Sequence, residues 1–216
     1  MDISVLGVSG SPVKNGNVET FMRSLLDEAG RRGASVDAAY LSRLEVRDCV
    51  HCNFCLRKQE PGRYCSIRDD AQALFEKAER ADILLLASPV YFMRTSGRMA
   101  SFLDRMRVFV FGNLARGRMR DKVGVSAAVA WARHGGFETA HLSHLYAFLT
   151  LEMIPASAHD SISPLGASAV ASESGAGSFD PDVRLGAERD LAGIESGLAI
   201  VARAMELAAV MKRGMC

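Results

Sequence analysis

The sequence predicts an α/β fold: a doubly wound, five-stranded parallel sheet with helices on both faces. Three observations predict it. Short apolar runs alternate with segments of helical period from Ile3 to Ala158, the pattern of parallel strands joined by helical crossovers. The run Ile83 to Ala87, Ile-Leu-Leu-Leu-Ala, is apolar throughout, as a central strand covered on both faces must be. Each of the first four apolar runs is followed by a loop carrying chemically distinctive residues, so these loops meet on the sheet edge where open parallel sheets collect ligands.

The elements follow in order. Ile3 to Val8 is the first strand, closed by the Ser/Gly/Pro/Asn stretch Ser9 to Asn17. A helix is expected from about Val18 to Arg32, with Phe21, Leu25 and Leu26 on its apolar stripe. Val36 to Tyr40 is the second strand, and a cysteine-rich loop, residues 46–68, comes after it. Asp69 and Asp70 favour a helix start ahead of Ala71 to Ala81. Beyond Ile83 to Ala87 the Ser88-Pro89 pair breaks the chain, and Ser96 to Val110 has helical spacing. Val123 to Val129 supplies the fourth strand, Phe137 to Glu152 a helix, and Ile154 to Ala158 a short fifth strand. Residues 159–184, rich in Ser, Ala and Gly, are expected to form a long loop before a final helix at about 185–212. Five such strands fit the flavodoxin-like order 2-1-3-4-5, and residues 1–216 are expected to form a single domain.

Composition bounds the function. Hydrophobic content of 49% with 24% charged residues belongs to a globular chain, and a net charge of +1 gives no general attraction to nucleic acid. No run approaches the roughly 20 apolar residues that span a bilayer. The start Met-Asp-Ile-Ser-Val-Leu enters a strand without the pattern of an export signal. The expectation is a cytoplasmic protein with neither membrane nor nucleic-acid partners, whose clustered thiols serve a metal or catalysis rather than disulfides. Cys216, far from the other cysteines in sequence, reads as a free surface thiol.

The loop Ser9 to Asn17 joins a strand to a helix and has neither the dinucleotide G-x-G-x-x-G spacing nor the Walker pattern. It offers the hydroxyls of Ser9 and Ser11, the amide of Asn17 and the N–H groups of the following helix start, which favour an anion. Neutral donors of this kind suit a terminal monophosphate, as in FMN, better than a magnesium nucleotide. An ordinary polar turn with a helix cap is the alternative for this segment taken alone.

Four of the five cysteines lie together: Cys49, Cys52 and Cys55 at steps of three, then Cys65 after nine intervening residues, Leu56 to Tyr64. Thiolates at C-x2-C-x2-C spacing can take three corners of a [4Fe–4S] cluster, with a more distant cysteine as the fourth. Pro61-Gly62 marks a turn that allows Cys65 to return. Zinc is the rival, although structural zinc sites pair two knuckles and the second is absent here; His51 within the run is a further candidate ligand. An oxidised, empty loop is the remaining alternative. A thioredoxin-type dithiol is disfavoured, because the motif follows the second strand.

Ser9-Gly-Ser-Pro-Val-Lys-Asn-Gly-Asn17 resembles the S-G-S-P-R-K-N-G-N-T loop of the NADPH-dependent FMN reductase superfamily. With the cysteine run, the chain is similar to the iron–sulfur flavoprotein branch of that superfamily. Ser88-Pro-Val-Tyr-Phe92 is similar to the family's S-P-V-Y-F segment beside the flavin ring, and Gly135-Gly-Phe-Glu-Thr139 to its G-G-Q-E-T loop, so the resemblance covers roughly residues 1–155. It implies FMN contacts from Ser9, Ser11, Pro12, Asn15, Asn17 and Val18, from Pro89, Val90, Tyr91 and Phe92, and from Arg133, His134, Gly135, Gly136 and Glu138. It also implies a homodimer or a dimer of dimers. The chain departs from the family at Val18, usually Thr or Ser, and at Phe137, usually Gln.

Between Arg94 and Lys122, seven arginines and one lysine face only Asp104 and Asp121. Such a segment guides an acidic electron carrier such as a ferredoxin, or the phosphate of NADPH, or is a solvated face with no partner. Phe109, Val110 and Phe111 form an apolar cluster, and His141 and His144, with no third ligand in view, are expected to be solvated or core residues. The function expected is an FMN-dependent oxidoreductase that couples two-electron flavin chemistry to one-electron transfer through a [4Fe–4S] cluster held by Cys49, Cys52, Cys55 and Cys65, with NAD(P)H or a ferredoxin as donor. No side chain is expected to act as a general acid or base. The alternatives are an NAD(P)H-dependent FMN or quinone reductase with structural or zinc-binding cysteines, and a non-enzymatic carrier or redox sensor.

Overall fold

The computed structural model describes residues 2–159, 161–178 and 184–214, so Cys216 lies outside the described residues. Its strands are β1 (Ser4–Ser9), β2 (Ser35–Tyr40), β3 (Ile83–Pro89), β4 (Val123–Ala130), β5 (Ile154–Pro155) and β6 (Ala167–Val170). They pair in parallel in the order β2-β1-β3-β4-β5, with β6 also on β4. The helices are α1 (Asn17–Arg31), α2 (Phe54–Arg57), α3 (Ala71–Arg80), α4 (Gly97–Arg105), α5 (Arg107–Val110), α6 (Phe137–Thr150) and α7 (Leu191–Gly214). Every residue of β3 and β4 is buried, as the apolar runs require.

Strand alternation divides the core. Val5, Ile83, Leu85, Val123 and Val125 face α1 and α7, where Phe21, Leu25, Ile200 and Val201 cover them. Leu6, Val8, Leu84 and Leu86 face the other way, against Leu74 and Phe75 of α3, Phe102 of α4 and Phe148 of α6. Phe148 packs so closely on β4 that a Cβ on Gly124 would stand 2.6 Å from its ring. Among the described residues no helix is long and apolar enough to cross a membrane.

The structure departs from the sequence reading in three places. The helix expected over 96–110 is two helices, broken at Met106, whose N–H is shared between the Phe102 and Leu103 carbonyls. The break carries Val108 and Phe109 into the core and brings Arg107 to the cysteine loop. The fifth strand position is filled twice. β5 pairs with Val123 and Gly124, the chain leaves the sheet, and β6 returns from within the expected long loop to pair with Ala127 to Ala130. The last helix starts at Leu191, preceded by a short 3-10 turn at Gly186–Glu188.

Candidate functional site

A cavity of about 460 Å³ opens at the carboxyl ends of β1, β3 and β4. Ser11, Gly16, Asn17 and Val18 form one wall, Pro89, Val90 and Tyr91 a second, and Val129, Ala130 and Trp131 a third. Gly16 precedes α1 and no side chain caps this helix start, which leaves its first N–H groups for a ligand. The loop is fixed from beneath. The Glu19 side chain is fully buried and accepts from the Asn15 N–H at 2.8 Å, the Ser42 hydroxyl at 2.7 Å and Arg43 Nη1 at 2.8 Å. Asn15 holds a left-handed φ of 52°, and its Oδ1 accepts from Arg43 Nη2 at 3.0 Å. A buried carboxylate matched by an arginine thus sets the shape of a loop that itself presents neutral donors.

The sequence-derived cofactor residues divide into two groups. Ser11, Asn17, Val18, Pro89, Val90 and Tyr91 line the cavity. Ser9, Pro12 and Asn15 do not. Ser9 is buried, with its Oγ accepting from the Ser11 N–H at 3.3 Å; Pro12 is exposed; Asn15 turns to Arg43. Val18 belongs to the α1–α7 core as well as the cavity wall, so a methyl group replaces the family's hydroxyl at an apolar seam. Phe92 stands 98% exposed at the tip of a tight turn in which Tyr91 and Arg94 exchange backbone hydrogen bonds. Phe92 and Met93 both have positive φ, 47° and 60°, a conformation that side chains disfavour and that clusters at functional sites. Arg133, His134, Gly135, Gly136 and Glu138 lie outside the cavity wall, at the start of α6. Arg133 pairs with Asp190 at 3.2 Å, His134 and Glu138 are exposed, and a Cβ on Gly136 would stand 2.7 Å from the Met93 Cα. That loop therefore buttresses the 91–94 turn.

Of the wall residues that the sequence reading did not single out, two bring a ring and a charge. Trp131, the chain's one tryptophan, is half exposed beside Ala130. Arg184 enters the wall from the far end of the chain because Asn17 fastens its segment: Asn17 Nδ2 donates to the Arg184 carbonyl at 3.4 Å, and Asn17 Oδ1 accepts from the Ala187 N–H at 2.9 Å. The signal for Trp131 was its place directly after β4. Arg184 had none.

The four clustered cysteines line a second, small cavity with Ile67, Val108, Arg105 and Arg107. His51 is exposed and outside it. Cys55 is buried, Cys49 and Cys65 are half-buried, and Cys52 is exposed. His51 and Asn53 take positive φ, 50° and 60°, so the chain reverses between successive cysteines. The Ser66 hydroxyl, 2.9 Å from Cys52 Sγ, lowers the Cys52 pKa, helped by the Phe54 N–H and the charge of Arg107. Burial raises that of Cys55, and Arg107 works against the rise. Among the described residues no three His, Cys, Asp or Glu side chains close on a point as ligands of a single metal ion do.

The nine residues between Cys55 and Cys65 are tightly held. Gln59 is buried and uses its full hydrogen-bonding capacity there: Nε2 donates to the Tyr64 and Val108 carbonyls at 3.2 and 3.1 Å, and Oε1 accepts from the Leu114 and Ala115 N–H groups at 2.9 and 3.0 Å. Tyr64 OH donates to Glu79 at 2.6 Å and accepts from Arg118 at 2.8 Å. Pro61-Gly62 forms the turn, with Gly62 at φ 76°.

The arginine-rich segment is largely spent inside the molecule. Arg105 is buried against Asp69, Arg118 pairs with Glu79, Arg120 with Glu152, and Arg98 donates to the Leu41 carbonyl. His141 and His144 are core residues. Ser126 Oγ lies 2.7 and 2.8 Å from their Nδ1 atoms, Ser168 Oγ is 2.9 Å from His141 Nε2, and Thr95 Oγ1 is 3.1 Å from His144 Nε2. A hydroxyl has one proton, so at least one of the two rings donates to Ser126.

Residues 3–164 match the sequence profile of the family described as NADPH-dependent FMN reductase. An iron–sulfur flavoprotein of Methanocaldococcus jannaschii is 33% identical over 168 residues, covering 78% of this chain and 83% of its own. An iron–sulfur flavoprotein of Methanosarcina thermophila is 33% identical over 136 residues, covering 63% and 68%. Among solved structures, RosB with a bound 8-demethyl-8-formylriboflavin-5'-phosphate intermediate superimposes with a TM-score of 0.73 at 13% identity, over 98% of this chain and 81% of that one, a likeness of fold.

Proposed function

Because the chain belongs to the NADPH-dependent FMN reductase family, in its iron–sulfur flavoprotein branch, and is a flavin-dependent oxidoreductase, we propose that FMN occupies the 460 Å³ cavity and that Cys49, Cys52, Cys55 and Cys65 hold a [4Fe–4S] cluster. The observation that carries the reading is that one cavity is lined by an uncapped helix start and an arginine together with Tyr91 and Trp131. An anionic tail and a flat apolar ring need both kinds of wall. The volume lies within the roughly 300–1,000 Å³ usual for cofactor sites. Four cysteines on one cavity, three of them at C-x2-C-x2-C spacing, support a cluster over a zinc site of two paired knuckles.

When bound, FMN supplies electron exchange in ones or twos, and the cluster in ones. This chain's residues bind and orient. Ser11 and the start of α1 grip the monoester, and Arg184 adds a cation to a cavity wall that Lys14 of the loop does not line. Asn17 acts through Arg184 by tying its segment in place. Tyr91 and Trp131 exclude water from the ring faces, and Val90 is fixed by its N–H bond to the Val129 carbonyl at 2.9 Å.

Two outcomes test the reading. Arg184→Met is expected to weaken FMN binding about tenfold, the worth of one charge-assisted contact, measured by quenching of flavin fluorescence; unchanged affinity removes the assignment of the monoester end. Cys52→Ala, purified without oxygen, is expected to lose iron and sulfide while keeping one FMN per chain. Loss of both groups together contradicts two separate sites.

A further inference from the structure

Arg105 and Arg107 line the cysteine cavity and have no part in the reading above. The Nε–H of each is buried with no acceptor within hydrogen-bond distance among the described residues, and the Cys65 thiol lies near enough to Arg105 to favour its charge. Their remaining bonds differ. Arg105, 1% exposed, is matched by Asp69: Nη1 and Nη2 donate to its two carboxylate oxygens at 2.9 and 3.1 Å, and Nη1 also donates to the Arg47 carbonyl at 2.8 Å. Burial works against the charge on Asp69, yet Arg105 and the Arg47 and Ala71 N–H groups hold its carboxyl below the usual range, so the pair stays ionised. Arg107 meets no carboxylate among the described residues. Its Nη2 donates to Asn53 Oδ1 at 3.2 Å, its Nη1 lies 4.0 Å from Cys49 Sγ, and its guanidinium stands 5.6 Å from the Phe111 ring. The cavity thus has one compensated and one uncompensated cation in its wall, each with an unspent donor.

We propose that Arg107, and Arg105 through its pairing with Asp69, set the reduction potential of the group held by the four cysteines, keeping it above the value the thiolates alone would give. The inference rests on the cluster reading. A cluster on four thiolates is an anion, and reduction adds one electron and one further negative charge while no bond forms or breaks. A fixed positive charge beside it stabilises the reduced form more than the oxidised one, the more so where water is excluded. Donors to sulfur act in the same direction, and an acceptor there would satisfy two N–H groups that are otherwise costly to bury. Asp69 opposes Arg105, so it is the brake within the same device.

The test uses full-length protein, purified anaerobically, as wild type, Arg107→Met and Asp69→Asn. Iron and sulfide are assayed, and the cluster is titrated against redox dyes with its paramagnetic signal as readout. Arg107→Met is expected to titrate at a lower potential, raising the oxidised-to-reduced ratio at the wild-type midpoint about tenfold. Asp69→Asn, which uncovers the charge of Arg105, is expected to move it the opposite way. Arg107→Lys keeps the charge and is expected to restore most of the shift. Arg107→Gln serves if the methionine variant does not load. Loaded Arg107 and Asp69 variants at the wild-type potential overturn the inference alone. Wild type without iron and sulfide removes the cluster reading, and the inference with it.

Discussion

Acidification from pH 7 to pH 4 is expected to remove most of this protein's stability, chiefly through two histidines remote from the cysteines. Burial pushes His141 down to about 4 and His144 to about 3, from an ordinary value of 6.5. Their partners are Ser126, Ser168 and Thr95, none of which offers a negative charge to an imidazolium. Both pKa values are depressed on folding, so between 6.5 and the folded values the unfolded chain binds protons that the native state refuses. The contribution is intact above about pH 6.5 and is lost as pH falls. Each histidine costs about 1.4 kcal/mol per pH unit in that window, on the order of 5–7 kcal/mol for the pair by pH 4, against total stabilities of about 5–15 kcal/mol. Asp69 and Asp82, held below the ordinary carboxylate range, withdraw their support only at lower pH. Urea midpoints measured between pH 7.5 and 4.5 check this. The dependence is expected to approach two protons below pH 6 and to flatten in His141→Gln/His144→Gln. A wild-type midpoint constant over that range ends the account.

Gln59→Leu is expected to cost on the order of 4 kcal/mol or more, because it leaves the Tyr64 and Val108 carbonyls and the Leu114 and Ala115 N–H groups buried without partners. The effect reaches chemistry through Cys65, which follows Tyr64 directly. With the Cys55–Cys65 segment released, the proposed cluster is expected to be lost, and iron and sulfide content to fall, although none of the four cysteines has changed. Gly112→Ala provides an independent approach, since a Cβ there would stand 2.3 Å from Gln59 Oε1 and 2.1 Å from the Val108 carbonyl oxygen. Thermal unfolding and iron assays check both variants. Full iron content and unchanged stability in Gln59→Leu would show that the segment is held by other means.

The sheet order was legible because its evidence is local: apolar runs at β1, β3 and β4, each closed by turn-forming residues. β6 was not, since Ala-Ser-Ala-Val has neither bulk nor alternation to separate it from the small residues around it, and only pairing with β4 makes it a strand. The break at Met106 has no proline or glycine to announce it. The cysteine site was visible in its spacing, whereas its arginines were read as surface because a sequence records charge and not the Asp69 opposite. In the 460 Å³ cavity the loop motif located Ser11 and Asn17, while Asn15 and Glu19 proved to support the loop from below. Arg184 depends on a contact across 167 positions, beyond any local pattern.

The doubled fifth strand gives the acid response a second consequence. Between the stretches covered by β5 and β6, Val125 and Ser126 have no outer strand neighbour among the described residues, and the chain returns to β4 at Gly166, where a Cβ would stand 2.5 Å from both the Ser126 carbonyl oxygen and His141 Nδ1. The imidazole pair therefore sits at the seam that keeps β6 seated. Charging it would free a fully buried strand at its margin, a template for another chain's backbone. Protein held near pH 4.5 is thus expected to self-associate, with light scattering that grows with concentration, rather than to disperse as unfolded monomers.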